Sequence, residues 1–215
     1  MAGSKQLSQA MDSESEITLG LLNAINENSA LTQRSLARDL GIALGLANAY
    51  LKRCAKKGLV KVAQVPSNRY AYYLTPKGFS EKSRLTAEYF SQSFKFFRAA
   101  RVQCSGLFAL CVERGWHDVA LVGASDLAEI AVFCAREHSV NVTVIVHGAA
   151  DDDATFAGQL LWRDMAIVAD ADAALVTDLN DPQSTFEAVK RHLPDERVLT
   201  PRFLKVSRRP SGNEA

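Results

Sequence analysis

Residues 43–57 carry the side chains whose types and spacing point most directly to a chemistry. At a helical repeat, one face of this stretch is formed by Gly45, Asn48, Ala49, Lys52 and Arg53. An asparagine amide can pair bidentately with adenine, and lysine or arginine can reach guanine or a phosphate. The small residues let the helix backbone approach a groove closely. The pattern favours a helix that reads double-stranded DNA, although a solvated basic face that contacts only proteins has the same composition.

Basic and polar residues outside this helix extend the predicted DNA contact. Gln33, Arg34 and Arg38 lie on a preceding helix and suit contact with phosphates. Leu44 could touch a thymine methyl group, and Arg69 could enter a narrow minor groove. The charge distribution agrees, because residues 1–102 carry a net charge of +8 and residues 103–215 carry −7. We therefore expect a polyanionic partner for the first half of the chain only.

Local patterns predict the elements that position these residues. Thr32 is a helix N-cap, Gly41 supplies a turn, and Gly58 ends the reading helix. The side chains predicted to face inward on that helix are Leu46, Tyr50 or Leu51, and Cys54. Residues 59–65 and 69–74 alternate as two strands of a hairpin. Helix, turn, helix and hairpin in this order predict a winged helix-turn-helix.

The hairpin and the residues after it resemble a known family. KKGLVKV precedes the predicted turn at residues 66–68, and RYAYYLTPKGFSEKSRLT follows it. The run resembles bacterial MarR-type winged-helix regulators, most closely the exopolysaccharide-associated subgroup, which shares a Y-x-LTPKG-x-x-EK-x-RLT segment. The resemblance covers residues 17–98 and implies a DNA-binding domain at residues 15–76, a double-stranded DNA partner and a homodimer. It departs at Ala43 and Leu44, where a serine or threonine helix cap is usual.

Residues 77–115 are predicted to form a helical linker or dimerisation segment. The pattern indicates a long helix from Pro76 to about Arg101 and a second helix over residues 105–114. The large apolar side chains in this segment are Phe79, Leu85, Tyr89, Phe90, Phe94, Phe96 and Phe97. Their helical spacing favours a core and a dimer seam over a ligand-binding box.

The second half of the chain alternates apolar strands with amphipathic helices. Strands are predicted at residues 119–122, 141–146, 173–177 and 197–200, and residues 163–169 could add another. A helix is predicted over residues 181–192. The alternation is typical of a parallel, Rossmann-like sheet, which we place at residues 116–205. The predicted fold class is α/β overall, with an N-terminal winged helix-turn-helix of α+β type and a C-terminal Rossmann-like parallel α/β sheet.

The turn after the first of these strands is the predicted ligand site. The residues assigned to it are Gly123, Ala124, Ser125 and Asp126, with His147 at the end of the second strand. Gly123 keeps the first glycine of a G-x-G-x-x-G/A pattern, but Ser125 replaces the second, and His147 stands where an acid should hold a ribose. GAS here and ADAALVTD further on resemble small Rossmann domains of sugar-nucleotide and CoA-binding type. A nucleotide or nucleotide-sugar is thus favoured over NAD, and a ligand-free assembly domain stays open.

Composition limits the remaining function classes. The chain has 215 residues, of which 47% are hydrophobic and 23% charged, as in ordinary globular proteins. No apolar run approaches the length of a membrane span, and the N-terminus lacks the apolar core of a secretory signal. Residues 1–14 and 206–215 are expected to be a disordered lead-in and tail. We expect a cytoplasmic protein without a membrane partner.

Side chains for metal binding or catalysis are scattered. The histidines are His117, His138, His147 and His192, without metal-ligand spacing. The cysteines are Cys54, Cys104, Cys111 and Cys134, without C-x-x-C spacing, and are interpreted as buried small hydrophobes. Neither a G-x-S-x-G elbow nor a phosphate-binding loop of the G-x-x-x-x-G-K type is present. No metal site and no enzymatic activity are therefore predicted.

These observations predict a dimeric transcriptional regulator whose C-terminal domain senses a small-molecule effector or organises the oligomer. Two alternatives remain open at this point. One is an NAD(H)-responsive redox-sensing repressor, since that class also joins a winged helix to a Rossmann domain. The other is a sugar-nucleotide-related enzyme subunit whose winged helix does not bind DNA.

Overall fold

A computed structural model describes residues 13–65, 69–146 and 155–208. The chain divides into two compact units, an N-terminal unit that ends at Phe94 and a C-terminal unit that begins at Lys95. One helix passes through this boundary and contributes residues to both units. Within the described ranges, no helix is long and apolar enough to cross a membrane.

The N-terminal unit is a winged helix-turn-helix, as predicted. Its elements are α1 (Ser13–Glu27), α2 (Gln33–Asp39), α3 (Leu44–Lys56), β1 (Val60–Val65), β2 (Arg69–Leu74) and the first part of α4 (Pro76–Glu113). β1 and β2 pair antiparallel, with Val60 opposite Leu74. Thr32 caps α2, because its hydroxyl accepts the Ser35 N–H at 3.0 Å. Gly58 follows α3 with a φ of 73°, a left-handed conformation that ends a helix readily. The predicted turn at residues 66–68 lies outside the described residues.

The inward face of α3 differs by one position from the prediction. Leu46 is 42% exposed, whereas its neighbour Ala47 is fully buried. Ala47, Leu51 and Cys54 are all buried, at the i, i+4, i+7 spacing of one helical face. The prediction that Leu46 faces inward was wrong. Each residue turns the helix by about 100°, so an error of one position assigns the buried face to the wrong side chain. The sequence left Tyr50 and Leu51 as alternatives at the next turn, and Leu51 is the buried residue.

The predicted break between two helices after Arg101 is also wrong. α4 is one helix of 38 residues, from Pro76 to Glu113. The sequence has no proline or capping signal there, and Gly106 lies inside the helix without ending it. Leu85 belongs to the core of the N-terminal unit, and Phe108 belongs to a core of the C-terminal unit.

The C-terminal unit contains a parallel sheet of Rossmann-like order, which confirms the predicted fold class. Its elements are β3 (Asp118–Val122), α5 (Asp126–Glu137), β4 (Asn141–Ile145), β5 (Thr155–Phe156), β6 (Gln159–Trp162), β7 (Ala173–Val176), α6 (Pro182–Val189) and β8 (Val198–Leu199). The strand order is β5-β6-β4-β3-β7-β8. All neighbouring strands run parallel except β5 and β6. Taking β3 as the first strand, the parallel part has the order 3-2-1-4-5 of a Rossmann sheet.

Successive residues of the central strands serve two different cores. Val119, Leu121 and Leu175 face a core shared with α5 and the second part of α4. Ala120 and Val122 face a second core that includes Phe186 of α6. A strand with both faces buried is apolar throughout, which explains the continuous hydrophobic run of β3. The four cysteines are free and buried, as predicted, and burial raises the pKa of Cys104 to about 12.

The expected boundaries of this unit shift in three places. Residues 163–169 form no strand, because Asp164 caps a short 3-10 helix (Met165–Asp170) by accepting the Ala166 N–H at 2.8 Å. The additional strand is β6, which precedes that helix. The helix predicted to end at residue 192 ends at Val189. Ser207 and Arg208, expected in the disordered tail, hydrogen-bond to Gln183 and to the carbonyl of Val198.

Two loops at the carboxyl ends of β3 and β7 meet in direct contact. We name them loop A (residues 123–125) and loop B (residues 177–181). Gly123 has a φ of +113°, and a Cβ atom added to it would lie 2.5 Å from the amide nitrogen of Asp178 and 2.6 Å from its Cα. Only glycine fits here, because both the backbone conformation and the space exclude a side chain.

A Gly123→Ala substitution should destabilise the protein by about 2–4 kcal/mol, from overpacking and backbone strain together. Urea unfolding followed by circular dichroism measures this. The matched control is Gly106→Ala, at an open position within α4, where the same change should stabilise the helix by about 0.5–1 kcal/mol. Equal stability of Gly123→Ala and the parent protein would contradict the loop contact.

Candidate nucleic-acid interface and ligand crevice

The exposed face of α3 presents a narrow row of small and basic residues. Gly45, Ala49 and Lys52 are exposed at i, i+4, i+7 spacing, and nothing lies within 4 Å of the position where Gly45 would carry a side chain. Lys56 continues the row one turn later and is exposed as well. The sequence interpretation missed Lys56, although the same helical spacing from Lys52 leads to it. We call Gly45, Ala49, Lys52 and Lys56 the basic row.

Asn48 lies at the edge of this row. Its side chain is half-buried, and its Oδ1 atom is buried without a hydrogen-bond partner among the described residues. Bidentate pairing with adenine needs both the carbonyl oxygen and the amide nitrogen at the surface. The buried oxygen must therefore turn outward before Asn48 can read a base in the predicted way.

Arg53 is turned away from the basic row towards α1. Its guanidinium donates to the Glu14 carboxylate, and the same group stacks 5.1 Å from the centre of the Tyr50 ring. The hydrogen bond and charge of Glu14 raise the pKa of Arg53. A nearby carboxylate offsets the positive charge, so the structure groups Arg53 with α1 rather than with Lys52.

A cleft separates the start of α2 from the second strand of the wing. It has a volume of about 580 Å³ and is lined by Ala30, Leu31, Thr32, Gln33, Arg34, Leu44, Tyr70 and Tyr72. Arg34 and Leu44 are exposed at its rim, as the predicted contacts require. Gln33 donates its amide to the Tyr72 hydroxyl at 3.2 Å, which ties α2 to the wing. Arg69 is the first residue of β2.

The first turn of α3 lacks the side-chain cap found at α2. Ala43 stands at the N-cap position with no side-chain hydrogen bond, and the first turn contains no acidic residue. The departure noted in the sequence thus leaves the backbone N–H groups of this turn without a side-chain acceptor. Leu44, the first residue of the helix, is exposed beside them.

In the C-terminal unit, the hydroxyl groups of two residues join loop A to loop B. The buried Ser125 donates to the carbonyl of Thr177 at 2.5 Å, and Thr177 donates to the carbonyl of Gly123 at 2.6 Å. Ser125 also caps α5 by accepting the Leu127 N–H at 3.1 Å. The Ser125 hydroxyl, assigned to a ligand from the sequence, therefore has structural partners on both sides.

A cavity of about 130 Å³ lies beside these loops. It is lined by Val122, Gly123, Ala124, Val146, Met165, Asp178, Asn180, Thr185 and Ala188. Gly123 and Ala124 line it as predicted, whereas Ser125 and Asp126 do not, and His147 lies outside the described residues. Burial and the charge of Glu129 raise the pKa of Asp126. Asp178, Asn180 and Thr185 were missed, since they lie on the β7 side, some 55 residues along the chain.

Within the described ranges, no group of three or more His, Cys, Asp or Glu side chains is arranged to hold a metal ion. The cavity beside loops A and B has a single carboxylate, Asp178, in its described lining.

Comparison with known proteins supports the N-terminal assignment. Residues 14–61 match a family described as winged helix-turn-helix DNA-binding. No curated protein matches the chain. The chain is 21% identical to the PcaV transcriptional regulator of Streptomyces coelicolor, solved with its natural ligand, over 44% of this chain and 67% of that one (TM-score 0.37). It is 22% identical to Staphylococcus aureus MepR, a regulator of the multidrug efflux pump MepA, over 43% of this chain and 68% of that one (TM-score 0.35).

A third solved structure aligns with most of the chain. Human N-acetylserotonin methyltransferase in complex with SAM is 13% identical over 92% of this chain and 75% of that one, with a TM-score of 0.34. Structural likeness at this level carries no functional argument. The family match over residues 14–61 and the described fold, with its hairpin of β1 and β2, together identify a winged helix-turn-helix of the DNA-binding kind.

Proposed function

We propose that the protein is a transcriptional regulator that binds double-stranded DNA as a homodimer in the cytoplasm. The observation that carries the proposal is the basic row on α3, exposed within a domain that matches a DNA-binding family. The net charge of +8 on residues 1–102 supports a polyanionic partner for this unit. The resemblance of the LTPKG segment supports, as part of the proposal, a MarR-type regulator of the exopolysaccharide-associated subgroup.

In this proposal α3 lies in the major groove with the basic row towards the bases. Gly45 and Ala49 allow a close approach, and Lys52 and Lys56 contact guanine or phosphates. Gln33 and Arg34, at the rim of the cleft between α2 and the wing, contact the sugar-phosphate backbone. Arg69, the first residue of β2 at the tip end of the wing, remains the proposed minor-groove contact. Asn48 reads adenine only after its amide has rotated outward.

A second copy of the chain is the proposed partner of α4. Four phenylalanines on this helix are exposed, and they are Phe79, Phe90, Phe94 and Phe97. Phe90, Phe94 and Phe97 follow i, i+4, i+7 spacing, so they form one apolar stripe. An exposed stripe of this kind on a long helix marks an association surface. Two-fold pairing would present two basic rows to a pseudo-palindromic site.

The C-terminal unit is proposed to bind a small-molecule effector at the cavity beside loops A and B. Such an effector controls DNA binding only if it binds one dimer geometry more tightly than another. The NAD(H)-responsive alternative is less well supported, because Ser125 replaces the glycine that lets a dinucleotide pyrophosphate approach the backbone, and its hydroxyl is bonded to Thr177. In the alternative that the C-terminal unit only organises the oligomer, the same α4 surface forms the dimer and no effector binds.

Replacing Lys52 should weaken DNA binding more than replacing Arg53. For a fluorescein-labelled DNA duplex of mixed sequence, fluorescence anisotropy over a range of salt concentrations measures the slope of log K against log salt. Lys52→Ala should lower that slope by about 1 per bound protomer, because one phosphate contact is lost. Arg53→Ala is the matched control and should leave the slope nearly unchanged, since Glu14 already offsets its charge.

Two outcomes would reject this arrangement. An equal decrease of the salt slope in the Lys52 and Arg53 variants would mean that Arg53 leaves Glu14 and belongs to the DNA interface. Failure of the parent protein to bind any duplex within roughly 1–100 µM, the usual range of non-specific binding, would favour the enzyme-subunit alternative with a winged helix that does not bind DNA.

Placing a charge in the phenylalanine stripe should separate the dimer. Phe94→Glu should raise the dimer dissociation constant by on the order of 100-fold, because an uncompensated buried carboxylate costs several kcal/mol. Sedimentation velocity measures the change. The matched control is Phe133→Glu on α5, since Phe94 is 58% exposed and Phe133 is 55% exposed. An unchanged dimer in Phe94→Glu, or a monomeric parent protein, would exclude this seam.

A further inference from the structure

The carboxylate of Asp178 accepts the hydrogen bonds that a bound anion would otherwise accept at the carboxyl end of the C-terminal sheet. Its Oδ1 atom accepts the N–H groups of Asn180 at 2.8 Å and Asp181 at 3.3 Å. Its Oδ2 atom accepts the Thr185 hydroxyl at 2.8 Å. Backbone N–H groups and a hydroxyl at the start of a helix are the donors with which proteins usually bind phosphate. Here a side chain of the protein already occupies them.

The neighbouring helix starts are satisfied in the same way. Asp181 caps α6 by accepting the Ser184 N–H at 3.1 Å, and Ser125 caps α5 at Leu127. The first turn of α5 also contains two acidic residues, Asp126 and Glu129. An anion that entered the cavity would find these donors occupied and would meet the Asp178 carboxylate in the described lining.

The shape of the cavity leads to the same conclusion. The second glycine of a dinucleotide-binding turn, which lets the pyrophosphate approach the backbone, is replaced here by Ser125, whose hydroxyl donates to the carbonyl of Thr177. The remaining volume, about 130 Å³, is close to that of a cavity of about 150 Å³ that holds benzene. No lysine or arginine is among the described residues that line it, while Val122, Met165 and Ala188 give it an apolar wall.

We infer that Asp178 is a built-in anion and that the cavity takes a compact ligand without phosphate, held by hydroxyl or ammonium groups that donate to this carboxylate. A carboxylate accepts about four hydrogen bonds, and the described residues donate three to Asp178, which leaves one acceptor direction for the ligand. The apolar wall accommodates the carbon skeleton. The assignment replaces the nucleotide or nucleotide-sugar expected from the sequence. It rests on the proposed effector role of the C-terminal unit.

Saturation-transfer NMR on the full chain, without DNA, tests the ligand class. The probes are ADP, UDP and NAD on one side, and ribose, glucose and ethanolamine on the other. We expect transfer to at least one phosphate-free probe and its loss in Ala188→Leu, which fills the cavity. The control is Ala99→Leu, the same change at an exposed position of α4. Transfer to a nucleotide that Ala188→Leu abolishes, or no transfer to any phosphate-free probe, would overturn the inference.

A second measurement tests the built-in anion without any knowledge of the ligand. Asp178→Ala should lower the melting temperature by about 4–8 °C, and inorganic phosphate at constant ionic strength should restore part of that loss. Asp172→Ala is the matched control, because Asp172 also accepts two backbone N–H groups, from His117 at 2.8 Å and Asp118 at 3.0 Å, but lines no described cavity. Equal phosphate shifts in both variants and the parent protein would overturn the role of Asp178.

The two measurements keep the proposals apart. Both are made without DNA, so their failure leaves the DNA-binding proposal to the anisotropy experiment. If Asp178→Ala does not fold, the NMR measurement on the parent protein still decides the ligand class.

Discussion

The burial of Ala47, Leu51 and Cys54 is the constraint on which the proposed function depends. These side chains pack α3 onto the core of the N-terminal unit and so set the rotation of the helix about its axis. With that rotation, Gly45, Ala49, Lys52 and Lys56 face outward together. It also carries Arg53 towards Glu14, where its charge is offset. Which basic residues are available for the proposed DNA contact is therefore decided by apolar packing on the opposite side of the same helix.

The first turns of the helices are capped differently in the two units. The first turn of α3 has alanine at its cap and no acidic residue, so its positive end is exposed and uncompensated. α5 and α6 are capped by Ser125 and Asp181, and Asp178 takes the N–H groups just before α6. The start of α3 is thus electrostatically suited to the proposed polyanion, whereas the starts of α5 and α6 are not. The net charges of the two halves agree with this difference, because residues 1–102 are net positive and residues 103–215 are net negative.

Local signals were sufficient for most of the fold. Thr32, Gly58 and the alternating strands act through neighbours within a few residues, so their roles could be predicted from the sequence. The rotation of α3 could not, because Leu46 and Ala47 are both apolar and only the shape of the core chooses between them. The unbroken α4 was missed, although no proline follows Pro76 in this helix and Gly106 lies inside it without ending it.

The candidate sites were less predictable, since their partners are distant in sequence. Glu14 and Arg53 are 39 residues apart, and Ser125 and Thr177 are 52 residues apart. Gly123 matched a ligand-binding pattern, yet its conformation serves the contact with Asp178. A glycine in such a turn has the same signature whether a ligand or the protein itself fills the space beside it. Only the tertiary structure separates the two cases.

α4 gives the C-terminal unit a direct physical route to the DNA-binding unit. Leu85 is buried in the core of the N-terminal unit, while Cys104 and Phe108 are buried in a core of the C-terminal unit, all on one continuous helix. The stripe from Phe90 to Phe97 lies between these anchored parts. An effector that alters the packing of the C-terminal unit around Phe108 therefore acts on the helix that carries the proposed dimer seam. In the proposed dimer, two-fold pairing would set the spacing of the two basic rows, so a change in the proposed seam would alter DNA affinity without any change within the winged helix-turn-helix.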